Sequence, residues 1–259
     1  MCIRTTSIKS AVTVLLLGFQ PLINAEELHY YVVEDLAKPF QIEDKNLSQR
    51  GFITDVVSKI ATELNLTLST HIAPSQRVEK LLAEETFDNW IAYDSPAWNS
   101  IVLGTPLSQP LLQVTHSMAH CDNPLTPAHI LKGKAVAILK QFRYPGLSKL
   151  EARGEIELRK VKTYDQGFEL LDLGRVDGFA EMDTRLRYYL QSERPNAKCA
   201  QITSIPNVEP PYPLYLVVNK HMNKDIRNAI NEAFLNLIQD GFVDRTLASY
   251  RTAPEEPTL

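Results

Sequence analysis

The sequence predicts an α/β protein of two lobes joined by strands that cross between them. Three observations carry this prediction. Strand-like and helix-like periodicities alternate along the chain, the alternation breaks at the proline-rich passage "SPAWNSIVLGTPLSQP" and then restarts, and a last strand leads into two amphipathic helices at the carboxyl end.

Residues 1–25 carry Arg4 and Lys9 but no acid, an apolar run "AVTVLLLGF" and the small-residue ending "INA". That is the pattern of a cleaved secretory signal, too short to span a bilayer. Cleavage is expected after Ala25, and with no lipobox cysteine at that junction the mature chain is expected to be soluble and periplasmic. Losing this segment removes two of the 27 basic residues and none of the 31 acidic ones, which moves the net charge from −4 to near −6. Nucleic acid and membrane surfaces both select clustered positive charge, so no nucleic-acid partner is expected.

In chain order, "LHYYVV" reads as a strand. "RGFITDVVSKIATELNLTLSTHI" reads as a turn at Gly51, a helix with Ile53, Val56, Val57, Ile60, Ala61 and Leu64 at helical spacing, and a second strand. "PSQRVEKLLAEETF" gives an amphipathic helix after Pro74, and "DNWIAYD" a further strand. This order argues for a largely parallel, doubly wound sheet. After the proline-rich passage comes the strand-like "LLQVTHSMAH". A short helix and buried strand in "TPAHILKGKAVAIL" follow, then a helix in "GLSKLEARG", a strand in "IELRKV", a helix in "TYDQGFELLDLGRVDG", the strand "VDGFAEM" and the helix "DTRLRYYLQSE". "YPLYLVVNK" crosses back to the helices "KDIRNAINEAFLNLIQDG" and "FVDRTLASY", whose broad apolar stripe needs a lobe to cover it. Lobe one is therefore expected over 26–113, lobe two over 118–213, and the carboxyl-terminal return to lobe one over 219–259.

Cys2 leaves with the signal, and the two remaining cysteines, Cys121 and Cys199, are expected to form a disulfide in an oxidising compartment; two buried thiols are the plain alternative. Neither has CxxC spacing. No G-x-S-x-G, H-E-x-x-H or P-loop pattern occurs, and His116 and His120 lack an acidic partner at metal-site spacing. No catalytic residue, metal or cofactor is expected, and the chain is read as a binder, not an enzyme.

Ligands of open α/β sheets sit at the carboxyl ends of strands. There the stretch "DGFAEMD" places Glu181 and Asp183, on one face at period two with Asp177 and Phe179. Asp183 also suits a helix N-cap. Arg143 and Tyr144 follow the strand "KAVAIL", the first to clamp an anion and the second to stack or donate. Tyr93 and Trp98 close a lobe-one strand with an aromatic wall, Arg77 lies in the first turn of a helix beginning at the cleft, and Glu34 ends the first strand.

Four segments, "RGFITDVVSKIATELNL", "LKGKAVAIL", "LLDLGRVDGFAEMD" and "AFLNLIQDGFVDRTLASY", resemble in order and spacing the extracellular solute-binding proteins of family 3, with the type II periplasmic-binding fold of two Rossmann-like lobes and hinge strands. The resemblance implies capture of a small solute by lobe closure and delivery to an ATP-driven importer. It also implies an acid after the G-R-V-D segment for an α-amino group, and a lobe-one arginine for an α-carboxylate. Five residues past Asp177 stands Met182, so Glu181 or Asp183 must serve as the acid. The expected arginine segment reads "DSPAWN", with Trp98 in its place. The reading is a monomeric periplasmic binder of an amino-acid-like solute, an amine or a heterocycle, with an ABC permease as partner or, in the alternative, a ligand-sensing module read by a membrane receptor. A third reading makes Glu181 and Asp183 an acid/base pair of an enzyme; against it, two acids on one strand face point the same way and would not flank a bond from opposite sides.

Overall fold

The computed structural model describes residues 26–33, 37–43, 50–84, 86–98, 104–121 and 131–251; the signal-like residues 1–25 and Glu34 lie outside them. One sheet is built from β1 (Glu27–Val33), β2 (Thr67–Ala73), β3 (Trp90–Asp94), β4 (Gly104–Pro106), β5 (Leu112–Val114) and the late strand β11 (Tyr212–Asn219), in the order β2-β1-β3-β11-β4 with β5 also on β11. The other holds β6 (His116–His120), β7 (Lys134–Leu139), β8 (Ile156–Val161), β9 (Gly178–Met182) and β10 (Gln201–Ser204), in the order β10-β6-β9-β7-β8. The chain passes from the first sheet to the second at Thr115 and returns between Ser204 and Tyr212.

Neither sheet is wholly parallel, which corrects the largely parallel sheet read from the alternation. β1 runs parallel to β2 and β3, and β7 parallel to β8 and β9. β11 is antiparallel to β3, β4 and β5, and β6 is antiparallel to β9 and β10. The parallel pairs are those linked by a crossover helix. β6 and β11 arrive straight from the other lobe, with no helix to turn them parallel to their neighbours.

α1 (Phe52–Glu63), α2 (Ser75–Ala83), α6 (Lys224–Gln239) and α7 (Phe242–Ser249) cover the first sheet; α3 (Pro145–Ala152), α4 (Tyr164–Asp172) and α5 (Asp183–Ser192) cover the second. In α1, Phe52, Ile53, Val56, Val57 and Ile60 are wholly buried, each stabilising by roughly 1.5–3 kcal/mol. The helix begins at Gly51, whose φ of 103° and 2.6 Å separation between a built Cβ and Gln41 Cα both demand glycine. The Tyr250 hydroxyl accepts from Gly51 N at 2.9 Å and donates to Asp55. The Gly-Phe-x-x-Asp segment thus fastens the start of α1 to the residue that ends α7.

Cys121, after β6, is joined to Cys199, before β10. Among the described residues no helix is long and apolar enough to cross a membrane, and no three side chains group as metal ligands.

Candidate functional site

Strand ends from both sheets meet at a cleft with an inner volume of about 150 Å³; a cavity of roughly that size takes up benzene. Lobe one supplies an apolar wall that includes Tyr31, Val78, Leu82, Trp90, Tyr93 and Trp98. Lobe two supplies the floor: His116 from β6, Phe142 and Tyr144 from the loop after β7, Glu181 from β9 and Arg185 from the first turn of α5. Arg143 lies at the rim.

Glu181 is fully buried, and both its oxygens are engaged. The Tyr144 hydroxyl donates to Oε2 at 2.6 Å, Met182 N donates to Oε1 at 2.9 Å, and Arg185 Nη1 stands 3.7 Å from Oε1. Burial raises the Glu181 pKa against the opposing pull of the Arg185 charge and the Tyr144 hydrogen bond. Burial and the neighbouring carboxylate push the Tyr144 phenol well above its ordinary value.

Arg185 is 1% exposed. Its guanidinium lies 4.5 Å from the Phe142 ring centre and 5.1 Å from that of Phe40, a lobe-one residue, so aromatic rings approach it from both lobes. Among the described residues Nε and Nη1 have no hydrogen-bond partner. The Tyr93 and Tyr164 hydroxyls stand close to the guanidinium, whose charge and hydrogen bonding pull both phenols down against the larger effect of burial. His116 is buried beside it, edge-on to Tyr144, and its Nδ1 is also without a partner. Burial, with the Arg185 charge second, lowers its pKa to about 4, so the ring is neutral near pH 7.

Of the residues singled out from sequence, Tyr93, Trp98, Arg143, Tyr144 and Glu181 all line this cleft. Trp98 Nε1 donates to Tyr212 OH at 3.1 Å, and its indole meets Tyr93 edge-on. Arg143 Nη1 donates to the Trp98 carbonyl at 2.7 Å, tying lobe two to lobe one. Asp183 and Arg77 are not among the lining residues. The strand ends at Met182, so Asp183 opens α5 instead of continuing the period-two face. Its Oδ1 accepts from Ser117 Oγ at 2.7 Å and its Oδ2 from Arg187 Nε at 2.9 Å. It is not the N-cap either: that position is Met182, which makes no side-chain cap. Arg77 is exposed on α2. Asp177, at the far end of the stretch, takes hydrogen bonds from Lys134 Nζ and Ala135 N, and His120 is bonded to Thr203 and the Cys121 carbonyl.

Sequence reasoning missed Arg185, although its spacing from Glu181 was visible. An acid and an arginine four residues apart across a helix start are neighbours on one face.

No protein-family model matches the chain, and no match was found among curated proteins. Solved structures do match. The GluR0 ligand-binding core in complex with L-glutamate aligns with a TM-score of 0.71 at 18% identity, over 88% of this chain and 100% of that one. A substrate-binding protein of an amino-acid ABC transporter aligns at 0.64 and 19%, over 86% and 98%. The periplasmic VFT2 domain of Bordetella pertussis BvgS aligns at 0.65 and 16%, over 88% and 93%. The chain has the two-lobed type II periplasmic-binding-protein fold of these structures.

Proposed function

We propose that this protein captures a small polar solute in the periplasm by closing its lobes around it, and delivers it as a monomer to an ABC-type importer. The observation that carries the reading is Arg185, a buried cation between the lobes with two nitrogens unpaired among the described residues. Leaving charged donors unmatched in a desolvated site costs several kcal/mol unless a partner arrives, and a solute entering the cleft is that partner. Glu181, Tyr144 and Arg185 form the polar floor, and Tyr93 and Trp98 give a flat wall for a ring or alkyl body. Amino-acid-like solutes, amines and heterocycles all have the right size. On this reading binding involves no covalent step: Asp183, the second acid of the stretch, is committed to Ser117 and Arg187.

A second reading, a ligand-sensing module for a membrane receptor, is favoured by the likeness to the GluR0 core and the BvgS domain, both named as portions of larger proteins. Neighbouring genes for an importer or for a receptor separate the two.

The test is a thermal-shift screen of the mature protein against amino acids, amines, nucleobases and small acids. A true solute raises Tm with the logarithm of its concentration and lowers the radius of gyration. If no class moves Tm, the binding reading is wrong.

A further inference from the structure

The polarity of the unmatched groups says more than their number. Among the described residues, four of the seven buried side-chain polar atoms without a hydrogen-bond partner belong to cleft-lining residues: Arg185 Nε, Arg185 Nη1, Trp90 Nε1 and His116 Nδ1. Guanidinium and indole nitrogens only donate. A neutral imidazole nitrogen donates or accepts according to its tautomer. At least three of the four therefore call for an acceptor, and they come from both lobes, Trp90 on β3 and Arg185 on α5.

The acids of the cleft show the reverse. Each oxygen of Glu181 accepts one hydrogen bond, from the Tyr144 hydroxyl and from Met182 N, with the Arg185 charge 3.7 Å away and beyond hydrogen-bond distance, and Asp94 accepts from Ser95 N at 2.6 Å. Glu79 is exposed, so a cation there is screened by water. An incoming ammonium meets in Glu181 a carboxylate whose charge already faces Arg185 and whose two oxygens each hold a hydrogen bond, whereas an incoming carboxylate meets open donors.

We propose that the solute is a carboxylate with an apolar or aromatic body and no α-ammonium group, its oxygens held by Arg185 with Trp90 and His116. The inference rests on the solute-binding reading above and narrows its ligand class. Aromatic rings near the guanidinium favour approach of a carboxylate in its plane, the geometry in which arginine pairs with it best. The body packs on Tyr31, Val78, Leu82 and Tyr93.

The experiment uses matched probes on the mature protein, followed by calorimetry and thermal shift: phenylpropanoate, phenylalanine and phenylethylamine, and the aliphatic set isocaproate, leucine and isoamylamine. In at least one set the acid should bind tenfold or more tighter than its amino acid, and the amine should not bind. Arg185→Lys keeps the charge but loses the planar fork, and should weaken the acid tenfold or more. Where that variant fails to fold, Arg185→Gln combined with Glu181→Gln removes the buried pair together and should abolish acid binding in a folded protein. Tighter binding of the amino acid or amine overturns the carboxylate inference while the solute-binding reading stands. Acid binding that is unchanged in a folded Arg185 variant overturns the assigned site. Failure of every probe here, together with an empty broad screen, overturns both readings; failure of the matched sets alone, with another class binding, overturns this one.

Discussion

His116 has the clearest pH signature among the cleft residues. Its pKa falls from 6.5 in the unfolded chain to about 4 in the fold, so between those values the unfolded state binds the extra proton. The stability it contributes is complete above 6.5 and is lost as pH falls toward 4. At about 1.4 kcal/mol per pKa unit, lowering the pH from about 7 to about 5 removes about 2 kcal/mol. The charged and titratable groups that face it are Arg185, Tyr144 and Tyr212. Glu181 works the other way, because its raised folded pKa makes the fold take a proton more readily as pH falls through its range. His116→Gln isolates the histidine: in urea titrations the wild type should lose about 2 kcal/mol more than the variant between the two pH values, and equal losses would refute the assignment. His116 was visible in the sequence only as a poor metal ligand. What makes it special is burial beside Arg185, which no local spacing reveals. Glu181, Tyr144, Tyr93 and Trp98 were easier to find because strand ends and the loops after them are where this class of sheet keeps its sites. Arg185 and Arg187 stand two apart on one helix and read alike in sequence. Only the packed lobes decide that Arg187 pairs with Asp183 at the surface while Arg185 is buried beside Glu181.

At the scale of elements, the helices of described residues were legible because their apolar stripes run eight residues or more, long enough for a period of 3.6 to show. The strands β4 and β10 were not, having three and four residues and no room for alternation to repeat. The β9–α5 junction was legible, since the strand ends at Met182 and the helix opens at Asp183 as the pattern says; what was misread is the direction of Asp183, which the period-two face carried to the floor while the helical turn after Met182 swings it away. The disulfide is a second element-scale feature. It ties the end of β6 to the residues before β10 across 78 positions, a loop whose closure is worth about 4.5 kcal/mol on chain entropy alone, with about 2–5 the usual measured range. Both cysteines belong to lobe two, so the effect should be lobe-specific. In a Cys121→Ser, Cys199→Ser variant, unfolding free energy should fall by about 2–4 kcal/mol, and hydrogen exchange should rise in β6, β9 and β10 before it rises in β1 and β3. The unreduced mature protein should show no reactive thiol. Two reactive thiols, or an unchanged melting curve in the variant, would remove the bond from the account.

For the whole molecule, the question is what holds the lobes shut. Among the described residues the contacts that span the seam include Arg143 Nη1 to the Trp98 carbonyl at 2.7 Å, the Arg185 guanidinium against Phe40, Lys38 Nζ to Glu193 at 2.8 Å, the His116 ring against Tyr212, and Met182 and Tyr188 packed on the lobe-one core. They are not equivalent. The Lys38–Glu193 pair has both side chains 40% or more exposed, and such pairs contribute about 0–1 kcal/mol, mostly screened by salt. Arg143, itself exposed, instead bonds a backbone carbonyl next to the aromatic wall, a single directed contact worth about 0.5–1.5 kcal/mol. Removing it should shift the closed–open balance by about twofold to tenfold toward open. On the proposed capture by lobe closure, the loss should appear as faster dissociation, with association little changed. Arg143→Ala is therefore expected to increase the radius of gyration of the unliganded protein in small-angle scattering and to raise koff by about twofold to tenfold for whichever probe binds. Lys38→Ala should leave both within error. Equal effects from the two substitutions would mean that closure is held by the Arg185–Phe40 packing at the centre of the seam, and that Arg143 reports only on the rim.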